Sequence, residues 1–184
     1  MKIAVTGTIG SGKTTVINYI SSMGYNTFDC DKYVHLLLTK KEVKEEVSQY
    51  FDCIVNGEVN RKILGEIVFN NKIKLDKLNS IIHPLVKKQI ETLSECTFVE
   101  IPLLFESNME YLFDIIICVY SDDDIVVNRL KIRNDMEKDE ANKRMSLQFD
   151  KTIKKSKSNY VIINNDTLQC LYEKIDVILG RIKC

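Results

Sequence analysis

The residues Gly7-Thr8-Ile9-Gly10-Ser11-Gly12-Lys13-Thr14 match the pattern G-x-x-x-x-G-K-[S/T] at every fixed position. They follow the apolar run 3–6 and begin a helical pattern over residues 13–22. Glycines allow a loop to curl until its N–H groups point inward at an anion, and the following helix adds its positive end. A strand, a phosphate-binding loop and a helix are therefore expected, the context in which this motif binds a nucleoside triphosphate. We call residues 7–14 the glycine loop.

The side chains of the glycine loop have separate expected roles. Lys13 is expected to reach the β- and γ-phosphates of ATP, and the Thr14 hydroxyl is expected to coordinate Mg²⁺. The alternative is a glycine-rich turn with an incidental lysine. In this region the residues expected to bind ATP are Thr8, Ile9, Gly10, Ser11, Gly12, Lys13, Thr14 and Thr15.

The composition excludes several other classes of protein. The chain of 184 residues is 45% hydrophobic and 28% charged, which is typical of one soluble domain with a sizeable core. Its 26 basic and 26 acidic residues leave no net charge that would indicate nucleic acid or a membrane surface as partner. No apolar run approaches the roughly 18 residues of a membrane helix. The six cysteines form no Cys-x-x-Cys pair, so we expect free thiols and a cytoplasmic protein.

Apolar runs along the chain predict a parallel α/β sheet, because strands separated by helical stretches favour parallel pairing. We expect a single domain over 1–184, a three-layer P-loop nucleoside-triphosphate fold with a five-stranded parallel sheet. The five strands are expected at 3–6, 26–29, 97–101, 113–120 and 160–163, and a last helix at 168–182. The core of the domain is expected to comprise about 1–30, 96–120 and 158–184.

Two helical additions to this core are expected. Residues 31–95 are predicted to form a helical substrate lobe, in which Asn56-Gly57 predicts a tight turn. His83-Pro84 predicts the start of a helix, with proline in its first position. Residues 121–157 are predicted to form a helical lid, and within 129–157 ten basic and five acidic residues give a net charge of +5. The helices of the substrate lobe are expected around 33–50, 61–70, 75–82 and 84–95.

Two aspartates follow the second predicted strand, at the edge where α/β sheets bind ligands. A carboxylate at this edge can orient an acceptor hydroxyl and take its proton. Asp31 is the first choice for that catalytic role, and Asp29 is a candidate for ordering water on Mg²⁺, with helix capping as the alternative for either. Glu100 lies inside an apolar strand. It either assists the metal site or faces solvent on an edge strand, and we favour the second interpretation.

The arginines cluster in the predicted lid. Of the five in the chain, Arg129, Arg133 and Arg144 lie within sixteen positions. Guanidinium groups stabilise charge that develops on phosphate oxygens, and a lid over ATP would exclude water. Arg129 and Arg133 are four residues apart and share one helix face. We expect Arg133 to be the catalytic arginine; a solvated pair of charged helices is the alternative.

Several segments, taken together, resemble the dephospho-CoA kinase family. Residues 5–14 resemble the family's apolar strand and glycine loop, and Asp29-Cys30-Asp31 resembles its Asp-Ala-Asp. Residues 77–85, which contain His83-Pro84, and Ile101-Pro102-Leu103-Leu104-Phe105-Glu106 resemble two more discriminating segments. The lid and last strand resemble the family at Arg129, Arg133, Ala141, Arg144, Gln148 and Asn164.

The resemblance implies ATP-dependent phosphorylation of the ribose 3′-hydroxyl of dephospho-CoA, which yields coenzyme A and ADP. It implies that Asp31 is the base and that Lys13 and Arg133 contact the phosphates, in agreement with the residues themselves. ATP with Mg²⁺ is the expected phosphate donor, and a monomer is the expected state. Beyond the glycine loop, Arg129, Arg133, Arg144 and Asn164 are expected to bind ATP. The implied acceptor-binding residues are Asp29, Asp31, Arg61, His83, Pro84, Leu103, Leu104 and Glu106.

Two other functions are open on the sequence alone. The first is a kinase of the same architecture that acts on another small acceptor, such as a nucleoside monophosphate or shikimate. The second is a nucleotide-dependent switch or binding module with slow hydrolysis, which would need segments that order around the γ-phosphate. The chain has no Asn-Lys-x-Asp motif for reading guanine, and two lobes beside the glycine loop favour chemistry on two substrates.

Overall fold

The apolar run before the glycine loop forms the central strand of a parallel sheet. The computed structural model describes residues 1–69, 71–94 and 96–182. In chain order its elements are β1 (Lys2–Gly7), α1 (Lys13–Ser22), β2 (Asn26–Asp29), α2 (Cys30–Leu37), α3 (Lys41–Ser48), β3 (Ile54–Val55), β4 (Glu58–Val59), α4 (Arg61–Phe69), α5 (Lys72–Thr92), β5 (Thr97–Glu100), β6 (Ile115–Tyr120), α6 (Asp123–Asn134), α7 (Lys138–Ser146), α8 (Lys151–Ser156), β7 (Tyr160–Ile163) and α9 (Leu168–Leu179). A short 3₁₀ helix covers Glu110–Leu112.

Five strands form one sheet in the order β2-β5-β1-β6-β7, and every neighbouring pair is parallel. This confirms the predicted five-stranded parallel sheet. The inner strands are buried on both faces, which is why they read as continuous apolar runs rather than alternating ones. Because all five strands point the same way, their carboxyl ends meet at one edge. The glycine loop leaves the sheet at that edge.

By spatial contact the chain divides into two units. The core unit comprises Met1–Asp29 and Leu93–Cys184, and the helical unit comprises Cys30–Thr92. In the core unit, α1 and α9 bury their apolar faces against the sheet, where each fully buried aliphatic side chain contributes about 1.5–3 kcal/mol. The buried cluster that joins them to the strands consists of Ile3, Val5, Val16, Ile17, Ile20, Phe98, Ile117, Val119, Ile162, Leu171, Ile175, Ile178, Leu179 and Ile182.

The helical unit consists of α2 to α5 and the hairpin β3–β4. Asn56 and Gly57 have φ of 51° and 78°, the left-handed values that a two-residue hairpin turn needs, so the predicted tight turn is confirmed. The predicted helix start at His83-Pro84 is wrong, because Pro84 lies inside the single helix α5. The stripe of buried residues Ile81, Ile82, Val86 and Ile90 continues across the proline, and packing of this stripe outweighs the one hydrogen bond lost.

Three further expectations about helices and thiols need correction or restriction. The helix predicted over 33–50 is interrupted between α2 and α3, and the last helix ends at Leu179 rather than 182. Free thiols are confirmed at Cys30, Cys53, Cys118 and Cys170, but Cys96 is disulfide-bonded. Positions 70 and 95, at the ends of two predicted helices, and Cys184 lie outside the described residues. In the described part of the chain, no helix combines the length and apolar character needed to span a bilayer.

Candidate active site

The glycine loop turns sharply between β1 and α1. Gly7 has φ +146°, and a Cβ on it would lie 2.0 Å from the Val119 carbonyl oxygen on the paired strand. Gly12 has φ +98°, and its Cβ would lie 2.3 Å from Asn164 Nδ2. Only glycine fits at these two positions. Gly12 is also the N-cap of α1 and has no side chain to cap it, so the first N–H groups and the positive end of the helix are suited to binding an anion.

Lys13 is folded onto the glycine loop. Its ammonium group donates to the carbonyl oxygens of Gly7 at 3.2 Å and Thr8 at 2.8 Å, and the residue is only 7% exposed. A lysine with no freedom to sample solvent presents its charge at the loop before any nucleotide arrives. This geometry suits a cation that meets the β- and γ-phosphates.

Thr14 and Glu100 join the start of α1 to the neighbouring strand β5. The Thr14 hydroxyl donates to Glu100 Oε1 at 2.8 Å. The interpretation of Glu100 as a solvent-facing residue of an edge strand is wrong, because β5 lies between β2 and β1 and Glu100 is only 6% exposed. The sequence signal for a functional Glu100 was an acidic residue at the carboxyl end of an apolar strand. Its burial depends on the order of the strands in the sheet, which the neighbouring residues do not reveal.

The two aspartates of Asp29-Cys30-Asp31 fall on either side of the boundary between the units. Asp29 is the last residue of β2 and pairs in register with Glu100 of β5, so two carboxylates end adjacent strands at the loop's edge of the sheet. Asp31 is exposed in the first turn of α2. Cys30 between them is a buried free thiol, as expected for a small filler.

Among the arginines of residues 121–157, the predicted lid, Arg129 contacts the glycine loop. Its guanidinium donates to Ser121 Oγ at 2.8 Å, to the Asn164 carbonyl at 3.0 Å and to the Gly10 carbonyl at 3.5 Å. Asn164 Nδ2 in turn donates to the Ser11 carbonyl at 2.8 Å. The start of the lid, the end of β7 and the glycine loop are therefore fixed to one another.

The other lid arginines are exposed. Arg133 lies one turn beyond Arg129 on α6, and Arg144 on α7 pairs with Glu140 of the same helix at 2.8 Å. Gln148 was noted only through the family resemblance, yet its Oε1 accepts a hydrogen bond from the Ile9 N–H of the glycine loop at 2.8 Å. The two residues are 139 positions apart, so no local pattern could have found this contact.

Apolar packing also joins the lid to the glycine loop. Val126, Leu130, Met136 and Ala141 form a small buried cluster of α6, α7 and the turn between them, and the partly buried Ile9 packs against it. The lid therefore has a core of its own that includes one residue of the loop. Because Ile9 packs against this cluster, a movement of the cluster would also move the glycine loop.

The loop after β5 contains three of the predicted acceptor residues. Leu103 is 49% exposed and can contact a ligand, whereas Leu104 is fully buried and contributes packing. Glu106 is directed into the protein, where its Oε1 lies 2.7 Å from Lys154 Nζ and accepts from the Phe149 N–H at 2.8 Å. We call residues 102–106 the acceptor loop.

The remaining predicted acceptor residues lie in the helical unit. Arg61 is the exposed first residue of α4, and Pro84 is exposed on α5. His83 is partly buried, and desolvation lowers the pKa of its imidazole below the ordinary value of 6.5, which favours the neutral form. Among the described residues no group of three His, Cys, Asp or Glu side chains is arranged to hold a metal ion.

The parallel sheet, the glycine loop with its buried lysine and the helical segment bound to that loop define a P-loop kinase. The dephospho-CoA kinase family model matches residues 1–169. The chain belongs to the dephospho-CoA kinase family, and it is an ATP-dependent kinase.

Individual relatives support this membership along nearly the whole chain. A dephospho-CoA kinase of Fusobacterium nucleatum is 38% identical, with 96% of this chain and 95% of that protein covered. One from Listeria monocytogenes is 34% identical, with 97% and 96% covered. Among solved structures, a dephospho-CoA kinase from Campylobacter jejuni is 28% identical with a TM-score of 0.71, with 98% and 97% covered. A Bacteroides thetaiotaomicron shikimate kinase, 16% identical with a TM-score of 0.62 and 98% and 97% covered, shares the fold.

Proposed function

We propose that this protein transfers the γ-phosphoryl group of ATP to the ribose 3′-hydroxyl of dephospho-CoA, giving coenzyme A and ADP. The observation that carries the proposal is the attachment of the acceptor loop to the strand that leads into the glycine loop. Thr6 Oγ1 on β1 donates to the Pro102 carbonyl at 3.3 Å. One rigid strand end thus supports both the donor-binding loop and a loop of the family's discriminating Pro-Leu-Leu-Phe-Glu type.

The donor half of the reaction is assigned to the glycine loop and lid. The N–H groups of the loop and the end of α1 bind the ATP phosphates, and the Lys13 ammonium exchanges its carbonyl partners for phosphate oxygens. The exposed Arg133 of α6 contacts the transferring group, and its guanidinium stabilises charge on the equatorial oxygens. The full set assigned to ATP is Thr8, Ile9, Gly10, Ser11, Gly12, Lys13, Thr14, Thr15, Arg129, Arg133, Arg144 and Asn164.

The acceptor half begins with Asp31 as general base. Its exposed carboxylate accepts a hydrogen bond from the 3′-hydroxyl and takes that proton as the oxygen attacks the γ-phosphorus; the bond to the β–γ bridging oxygen breaks and ADP leaves. Leu103 supplies exposed apolar contact to the acceptor, and Leu104 supports it from beneath. The residues assigned to acceptor binding, directly or by shaping its surface, are Asp29, Asp31, Arg61, His83, Pro84, Leu103, Leu104 and Glu106.

Oxygen donors at the strand ends fit a magnesium ion bound mainly by phosphate. Thr14, Glu100 and Asp29 provide one hydroxyl and two carboxylates at adjacent strand and helix ends, the hard ligands that Mg²⁺ prefers. We assign Thr14 as the direct ligand and the carboxylates to the ion's water molecules. Mg²⁺, when bound, neutralises charge on the β- and γ-phosphates.

The surroundings of the reaction are proposed on chemical grounds. Although Cys96 is disulfide-bonded, the free thiols at Cys30, Cys53, Cys118 and Cys170 are typical of a reducing cytoplasm. Equal numbers of acidic and basic residues favour small-molecule substrates over nucleic acid or a membrane surface. We propose that the protein is a cytoplasmic monomer and that ATP and dephospho-CoA are its only substrates.

A panel of acceptors tests the proposed function. ADP release from ATP would be measured with dephospho-CoA, nucleoside monophosphates and shikimate, and without an acceptor. Strong acceleration by dephospho-CoA alone is expected. Acceleration by another acceptor would identify a kinase of the same fold with a different substrate, and equal slow release in every case would favour a nucleotide switch.

A further inference from the structure

Lys154 and Glu106 form a buried ion pair between α8 and the acceptor loop. Lys154 Nζ lies 2.7 Å from Glu106 Oε1, and the two side chains are 0% and 15% exposed. Removing two charges from water is unfavourable, and an apolar pair of similar volume commonly packs as well or better. Stability alone therefore gives this pair little advantage, whereas fixed charge partners specify one arrangement of the segments that carry them.

The pair belongs to a network that fixes the acceptor loop at both ends. Lys154 Nζ also donates to the Pro102 carbonyl at 3.1 Å, the same oxygen that accepts from Thr6 Oγ1 of β1. Glu106 Oε1 also accepts from the Phe149 N–H at 2.8 Å. The first and last residues of the acceptor loop are thus bonded to the segment between α7 and α8 and to α8 itself.

The residue before Phe149 is Gln148, which binds the glycine loop. Its Oε1 accepts from the Ile9 N–H at 2.8 Å. Consecutive residues of the lid therefore contact the donor-binding loop and the acceptor loop. The two contacts are made by adjacent residues, so this short segment can satisfy both at once only when the glycine loop and the acceptor loop are correctly placed relative to each other.

We propose that Lys154 and Glu106 are positioning residues that couple seating of the lid on the glycine loop to the placement of the acceptor loop. Neither side chain needs to touch a substrate. The ion pair acts through Phe149 and Gln148. When the lid takes its position on the ATP-bound glycine loop, the acceptor loop is placed to bind the acceptor. Loss of the pair uncouples the two, so that water competes as acceptor of the γ-phosphoryl group and yields ADP and inorganic phosphate. The proposal rests on the proposed function in taking dephospho-CoA as the acceptor.

The test uses a variant that removes both charges and leaves no buried charge alone. Lys154→Met with Glu106→Gln keeps the side-chain volumes, so the double variant is expected to fold with a melting temperature near that of the wild type. The ratio of inorganic phosphate released to acceptor phosphorylated is expected to rise, and kcat/KM for the acceptor to fall by about 10²-fold. Lys154→Arg, which retains the charge, should restore the wild-type ratio.

Lys157 and Glu110 provide the matched control. They form an ion pair of 3.4 Å between the end of α8 and the 3₁₀ helix, but their side chains are 48% and 31% exposed. Lys157→Gln should leave the phosphate ratio and the affinity for ATP at their wild-type values.

The affinity for ATP, measured without an acceptor, tests the coupling independently of the acceptor's identity. The double variant is expected to bind ATP several-fold more weakly, although neither residue lies in the glycine loop. Wild-type affinity and a wild-type phosphate ratio in a folded double variant would overturn the coupling. Failure of wild-type protein to phosphorylate dephospho-CoA would instead overturn the proposed function, and ATP affinity would still decide the role of the pair.

Discussion

The glycine loop and the lid both carry positively charged side chains, but the one on the glycine loop is buried and fixed, whereas most of those on the lid are exposed. In the glycine loop, Lys13 is buried and bonded to two backbone carbonyls. On the lid, Arg133 and Arg144 are exposed, and Arg144 forms an ion pair with Glu140 one turn earlier on the same helix. Arg129 also belongs to the lid, but its guanidinium is fixed like the ammonium group of Lys13, because it donates hydrogen bonds to Ser121 and Asn164.

This difference separates a preorganised charge from a recruited one. A fixed cation stabilises the transferring phosphoryl group without any reorganisation during the reaction. An exposed arginine must first lose rotamer freedom worth about 2 kcal/mol, which the phosphate has to offset. The glycine loop should therefore determine whether ATP is bound and activated, and the lid arginines should determine how well the transition state is stabilised. Substitutions in the two regions should therefore have different effects.

The largest effect is expected for Lys13→Ala. Removal of the preorganised charge should lower kcat by about 10³-fold or more. Steady-state ADP release with saturating dephospho-CoA measures the loss, and Lys41→Ala, an exposed lysine of α3, is the matched control. A Lys13→Ala enzyme with normal turnover would show that the charge of the glycine loop is dispensable.

Asp31→Asn tests the proposed base. The amide keeps the size of the side chain but cannot take a proton, so kcat should fall by about 10²-fold or more while both KM values stay within a few-fold. Asp29→Asn is the neighbouring control, and its defect should depend on Mg²⁺ concentration instead. Near-normal turnover of Asp31→Asn at saturating substrates would contradict the assignment.

Arg129 and Arg133 should separate stability from catalysis on one helix. Arg133→Ala is expected to lower kcat by about 10²-fold and to change the free energy of unfolding by less than about 0.5 kcal/mol. Arg129→Ala should lower that free energy by about 2 kcal/mol, because Ser121 Oγ and the Asn164 carbonyl lose charged donors. Urea unfolding and steady-state kinetics measure both, with Arg181→Ala as an exposed control. Identical profiles for the two variants would remove the distinction.

The fold was readable from the sequence where one local pattern decided it. Apolar runs located the strands of the sheet, and residues 13–22 were predicted with the observed limits of α1. The prediction that a new helix begins at His83-Pro84 was wrong. Proline disfavours a helix interior, but the stripe of buried residues continues on both sides of Pro84 and keeps α5 in one piece. Packing of that stripe is a tertiary effect, and the residues flanking the proline do not reveal it.

The site was readable only where the chain itself brings residues together. The glycine loop and the Asp29-Cys30-Asp31 segment are contiguous, and their chemistry follows from their order. Glu100 required knowledge that β5 is an inner strand, and Gln148 required a contact over 139 positions. Among the lid arginines, helical spacing showed that two share a face. Spacing could not show that Ser121 and Asn164 would fix Arg129 and leave Arg133 exposed.

Glu100→Gln tests whether the Glu100 carboxylate contributes to Mg²⁺ binding. The glutamine oxygen can still accept from Thr14 Oγ1, so the start of α1 keeps its anchor. Loss of the charge should raise the Mg²⁺ concentration for half-maximal activity by about tenfold. Direct titration of Mg²⁺ binding to the ATP complex provides a second readout. An unchanged Mg²⁺ dependence in both measurements would remove Glu100 from the metal site.

The smallest effect is expected at His83, a partly buried residue of α5. Burial lowers its pKa below the ordinary 6.5, so the unfolded chain binds a proton that the folded chain does not. The free energy of unfolding should therefore fall as pH drops below 6.5, and His83 should account for part of that fall. Urea unfolding of wild type and His83→Gln at about pH 8 and about pH 5.5 isolates this part. At the higher pH the imidazole is neutral in both states, which makes that point the control. Equal pH dependence of the two proteins would show that burial does not lower the pKa of His83 in the folded protein.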